Sequence, residues 1–171
     1  MEIDKFNQTI DYWIDELDKF TIEQLLLKPD SNSWSLGQVY EHLIEDSNWY
    51  NSQIKFSLES DTFADKEISA KAKELLKRGA FENIKIKGDA ENAAKVKQPI
   101  SVSQLKSDME KLKKETNNLW LEMQNDSVIG KSEHPGFGYF NCYEWLAFSE
   151  IHMRHHMRQK ENLERFLGLN Q

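Results

Sequence analysis

The sequence predicts an all-α protein built as a four-helix bundle, and three observations carry that reading. Apart from Gly168 near the end, the glycines and prolines cluster at 29–37, 79–99 and 130–138, leaving long stretches free of helix breakers. Within those stretches apolar residues recur at three- and four-residue steps. Capping pairs then open the second, third and fourth of them. A chain of 171 residues fits one domain spanning 1–171, large enough to bury roughly 70% of the surface its unfolded form exposes.

The first helix carries Ile3, Phe6, Ile10, Trp13, Leu17 and Phe20 on one side, and Thr21-x-x-Gln24 opens a short extra turn before Lys28-Pro29. The second starts at Ser35, with Gln38 completing a capping box, and runs through Val39, Leu43, Tyr50 and Ile54 to about Leu58. The third begins at Ser101-x-x-Gln104 and shows Val102, Leu105, Met109, Leu112, Leu119 and Met123 along one face. After a loop holding Pro135, Gly136 and Gly138, Asn141-x-x-Glu144 announces a fourth helix that continues to Leu167, where Gly168 ends it. The long link between helices 2 and 3 is too long for a structureless loop, so a short helix is expected at Lys66–Lys77. A link of that length can carry the chain back along the bundle, making helices 2 and 3 parallel and helices 2 and 4 antiparallel, unlike the simple up-down-up-down order.

Lys and Arg number 22 against 29 Asp and Glu, a formal charge of −7. Such a surface attracts neither a phosphate backbone nor an anionic leaflet, so no nucleic-acid or membrane partner is expected. The locally basic run from Lys66 to Lys97 and the acidic one from Glu2 to Asp18 read as solvated faces. Met-Glu-Ile-Asp lacks a basic leader region and no apolar run approaches a membrane span, so a cytoplasmic protein is expected. Cys142 is the single cysteine, which excludes an internal disulfide and a thiolate cage. Any metal must therefore use His and carboxylates.

Chemistry concentrates on the fourth helix, where His152, His155 and His156 stand within five residues. At about 100° per residue, His156 falls roughly 40° from His152 and one turn further on, so both imidazoles can reach one ion. Trp145, Phe148, Leu163, Phe166 and Leu167 lie within about 60° of His152, which sets the pair in the apolar stripe. Two buried imidazoles need a shared partner, and a divalent cation supplies one. A third ligand must come from another helix. His42 is the remaining histidine in a long helix, and it shares a half-polar flank with Gln38, Asp46, Trp49 and Gln53. Asp46 stands there either as a fourth ligand, as the orienter of an imidazole or, with Glu45, as a general base. Gln159, about 20° from His152, either holds a ligand imidazole or bound water, or simply packs. His155 is the rival ligand on helix 4, and His134 either closes a turn at Pro135 or stands at the site mouth. Trp49 and Trp145 meet and wall a pocket if helices 2 and 4 are antiparallel. The Glu-x-x-His of di-iron bundles and the His-Glu-x-x-His of zincins are both absent.

The run Trp34-Ser-Leu-Gly-Gln-Val-Tyr-Glu-His42-Leu, followed far downstream by His152-x-x-x-His156, resembles the DinB/YfiT-like superfamily of four-helix metalloproteins over nearly the whole chain. The resemblance implies an up-down-down-up bundle, frequent homodimers, and metal ligands at His42, His152 and His156. Characterised members include metal-dependent S-transferases that use bacillithiol, mycothiol or glutathione, and a maleylpyruvate isomerase. It thus implies a divalent transition metal (zinc, nickel or iron) and a low-molecular-weight thiol as cosubstrate. The segment His134-Pro-Gly-Phe-Gly-Tyr-Phe with His155-His156-x-x-Gln159 is similar to a branch without an established activity. The expected function is a mononuclear metal site activating a thiol or water, as an S-transferase or hydrolase acting on a small molecule. The alternative is a non-catalytic stress-response or scaffold dimer.

Overall fold

The computed structural model describes residues 1–82, 94–125 and 130–169. Four long helical segments form the bundle: α1 (Glu2–Glu16), α3 (Leu36–Glu59), α5 (Val102–Asn125), and a fourth divided into α6 (Cys142–His155) and α7 (Met157–Phe166). Two short helices, α2 (Ile22–Leu26) and α4 (Ala70–Arg78), lie in the connections. The expected caps are formed. Thr21 and Gln24, Ser35 and Gln38, and Asn141 and Glu144 each exchange side-chain and backbone hydrogen bonds, satisfying donors that a helix start leaves free. At the far end, Gly168 takes φ +73° and its N–H bonds back to Arg165, closing the last helix.

Pairs of residues across the helices fix the topology. Asn7 meets Asn117 and Asp18 meets Lys106, so α1 and α5 are antiparallel. Thr9 meets Glu150 and Glu16 meets Lys160, so α1 runs parallel to the fourth helix. Gly37 abuts Pro99 while Asn51 meets Thr116, which makes α3 and α5 parallel. His42 faces His156 while Tyr50 stacks on Trp145, which makes α3 and α6 antiparallel. The order is up-down-down-up. Both α1 and α3 pack against α5 and α6, so the first two long helices stand diagonally across the bundle. Phe6, Ile10, Trp13, Tyr40, Leu43, Leu105, Met109 and Trp145 fill its centre. Among the described residues, no helix is long and apolar enough to cross a membrane.

Four details depart from expectation. The first helix stops at Glu16 and tightens into a 3-10 turn, Leu17–Lys19. The connector helix is shifted to Ala70–Arg78, because Ser69 caps it by accepting from the Ala72 N–H. The part of that connector at 83–93 lies outside the described residues. The Pro-Gly loop is a hairpin, β1 (Ser132–His134) paired antiparallel with β2 (Gly138–Phe140). Gly138 sits at φ +82° and a Cβ there would lie 2.8 Å from the Glu67 carbonyl oxygen, so this position needs glycine twice over. Finally, the fourth helix breaks at His156. Its N–H is shared between the carbonyls of His152 (3.3 Å) and Met153 (3.2 Å), which tightens one turn without any proline or glycine.

Candidate metal centre

Helix α3 delivers His42 from its second turn, and the end of α6 delivers His152 and His156. Their candidate ligand atoms all lie within 4.8 Å of one another. The rings of His42 and His156 have centroids 4.9 Å apart, and those of His42 and His152 5.1 Å. His152 and His156 turn their Nε2 atoms to 3.2 Å from each other. Burial pushes His42 down to about 4 and His156 to about 3, with neighbouring histidines adding to the effect on His156, and drives His152 well below the usual imidazole value. All three are neutral at pH 7 and keep lone pairs for an ion.

Gln159 settles which nitrogen of His156 is free. Its Oε1 lies 2.8 Å from Nδ1, and since a carbonyl oxygen only accepts, the ring proton sits on Nδ1 and Nε2 carries the lone pair. Holding an imidazole is thus the role the geometry gives Gln159. Nδ1 of His152 is buried without a hydrogen-bond partner among the described residues. Three converging, neutral nitrogens, one with its tautomer fixed from behind, fit a divalent transition metal in donor type and number.

Asp46, one turn after His42, directs Oδ2 toward the same space, 3.6 Å from His42 Nε2 and 3.7 Å from His152 Nε2. The Tyr50 hydroxyl donates to that oxygen at 3.3 Å. Burial pushes the Asp46 carboxyl up to about 6 despite this bond. Glu45 is exposed and does not reach the site, which removes it as a base. Of the flank beside His42, Gln38 is instead taken up by the Ser35 cap and the Val96 carbonyl. Trp49 and Trp145 do meet, with centroids 5.3 Å apart, but they lie behind the cavity wall rather than in it. Their ring cluster backs Tyr50 and Phe148, which are the walls.

The nitrogens open into a cavity of about 860 Å³. His155 lines it without joining the three-atom cluster, its ring 4.7 Å from that of Phe81. His134 combines both readings offered for it. Its carbonyl accepts from the Phe137 N–H in the hairpin turn, and its ring reaches the cavity with burial pushing it down to about 4. Phe81 and Trp34 also line the cavity, and helical spacing singles out neither of them. Trp34 stands 4.9 Å from His42, and its place just ahead of the Ser35 cap was the available signal.

The up-down-down-up bundle shares its fold with a solved structure, and three histidines converge from its second and fourth long helices. Among solved structures, it is similar to YfiT from Bacillus subtilis, described as a probable metal-dependent hydrolase with an unusual four-helix bundle topology. The match covers 97% of this chain and 87% of that one, with a TM-score of 0.62 and 17% identity. No protein-family model and no curated protein matches the sequence.

Proposed function

We propose that the protein is a metal-dependent hydrolase whose ion is held by His42, His152 and His156. One observation carries the reading: three neutral imidazoles converge at the wall of an open cavity, with a carboxylate oxygen facing the same point. Zinc, nickel and iron all suit such a donor set. A divalent cation bound there supplies Lewis acidity that makes water a competent nucleophile near neutral pH. Asp46 accepts the proton of the attacking water through Oδ2, while Tyr50 aims the carboxylate. As the new C–O bond forms and the acyl C–X bond breaks, Asp46 returns that proton to the leaving atom, giving a carboxylic acid and H–X. Gln159 keeps His156 in the tautomer the ion requires.

A thiol S-transferase would use the same nitrogens, with a thiol in place of water. It ranks second because two of the thiols such enzymes use, bacillithiol and glutathione, carry carboxylates, and no Lys or Arg stands among the described residues lining the cavity. A non-catalytic scaffold gives no reason for an open space at the nitrogens.

The test is turnover of a panel of aryl esters and anilides by the metal-loaded protein. Hydrolysis should stop on chelation and return with the ion, and Asp46→Asn should keep the ion while losing about a hundredfold or more in kcat. Turnover indifferent to chelation, or full kcat in Asp46→Asn, would sink the reading.

A further inference from the structure

The cavity has two kinds of wall. One is polar, made by the imidazoles and Asp46. The other is aromatic: Trp34 lies against His42, and Phe81 lies 4.7 Å from His155 and 5.8 Å from Phe148. Ser33 and Asn162 add uncharged polar groups. Among the described lining residues there is no Lys or Arg, and Asp46 is the sole carboxylate. An anionic group against the aromatic wall would leave water without a cation among the described lining residues to meet it, whereas an aromatic ring would find faces and edges of its own kind.

We infer that the substrate part remote from the scissile bond is an uncharged aromatic group, and that Trp34 and Phe81 set this specificity. The inference rests on the hydrolase reading for the bond that is cut, but not for the group that is bound. Both aromatics come from outside the long helices, Trp34 from the segment before α3 and Phe81 from the segment after α4. Specificity is thereby carried on connecting segments while the nitrogens are fixed on the bundle. Arg154 ties the two together. It donates to the Gly79 carbonyl at 2.8 Å and to Glu150, holding the chain just before Phe81 against α6.

The experiment compares 4-nitrophenyl phenylacetate with its analogue bearing a carboxylate at the ring's para position, using the metal-loaded protein. The uncharged ester should be preferred at least about tenfold in kcat/KM, the low end of what an unpaired buried charge costs. Phe81→Ala should narrow that ratio through KM. Equal or faster turnover of the carboxylate ester would overturn the inference. Should neither ester be cleaved, the hydrolase reading fails by itself, and calorimetric titration with phenylacetamide and 4-carboxyphenylacetamide, on loaded and metal-free protein, still decides the binding preference. Tighter binding of the uncharged amide, weakened by Phe81→Ala, supports the inference. Equal or tighter binding of the carboxylate, or an uncharged preference that Phe81→Ala leaves intact, overturns it.

Discussion

Nδ1 of His156 stands 2.8 Å from Oε1 of Gln159, and this bond decides which nitrogen faces the cavity. Removing the acceptor frees the imidazole to rotate and to place its proton on either nitrogen. Gln159→Leu should therefore weaken ion affinity by about 10- to 100-fold, and Gln159→Glu should restore it, as read by competition with a chelator. Unchanged affinity in Gln159→Leu would show that the bond orients nothing.

An ion joining α3 to the end of α6 ties together elements far apart in sequence. At about 100 times its Kd it adds about 2.7 kcal/mol to the folded state. For a chain of this length that corresponds to a Tm higher by roughly 5–10 °C. Thermal melts before and after complete stripping of the ion should differ by that amount; coincident melts would contradict linkage of the site to folding.

Lys160 is fully buried, and its ammonium bridges Glu16 at 2.7 Å and Glu164 at 2.5 Å. Lys160→Met removes the buried cation that joins the two carboxylates, leaving Lys19 on Glu16, and should cost about 3 kcal/mol at pH 7, the low end for breaking a buried pair. Burial raises the Glu16 carboxyl, but hydrogen bonds from Lys160 and Lys19 outweigh it and hold the group below its ordinary value of 4.5. Its contribution is complete above that value and is lost as pH falls through the lower folded one. Burial lowers Lys160, but hydrogen bonds to Glu16 and Glu164 leave it above 10.5, so its share persists until pH rises through that raised value. Urea denaturation should show the gap between wild type and Lys160→Met narrowing as the acid limit is approached. A constant gap would mean that the triad does not carry the loss.

Gly37 opens α3 where the chain crosses Pro99 and the end of α2. A Cβ there would lie 2.6 Å from Pro99 Cγ and 2.8 Å from the Leu25 carbonyl oxygen. Alanine gains about 1 kcal/mol of helix propensity, but overpacking against backbone costs about 1–3 kcal/mol. Gly37→Ala should lower the urea midpoint; a higher midpoint would show that α2 yields easily.

The bundle was legible because Ser35 with Gln38 and Asn141 with Glu144 declare helix starts by chemistry that acts within four residues. The parallel run of α3 and α5 followed from connector length alone. The hairpin at Ser132–Phe140 was not legible: strands of three residues are too short to show alternation, and its glycines read equally well as loop. The break at His156 has no proline or glycine to mark it. Of the candidate site, His152 and His156 stand out by spacing along one helix, while His42 and Asp46 stand out by their half-polar flank and His42 also by the resemblance; the structure brings all four together. Phe81 does not stand out, since no periodicity connects it to His155. Lys160 lies one turn past His156, the available sign that it points inward, but its partner Glu16 is 144 residues away.

Metal content per chain decides whether His42, His152 and His156 are the ligands. Folded His42→Ala, His152→Ala and His156→Ala should each lose nearly all bound metal, whereas wild type and His155→Ala should each retain about one ion per chain. Loss of the ion in His155→Ala together with its retention in His156→Ala, or retention in all four variants, would contradict the account.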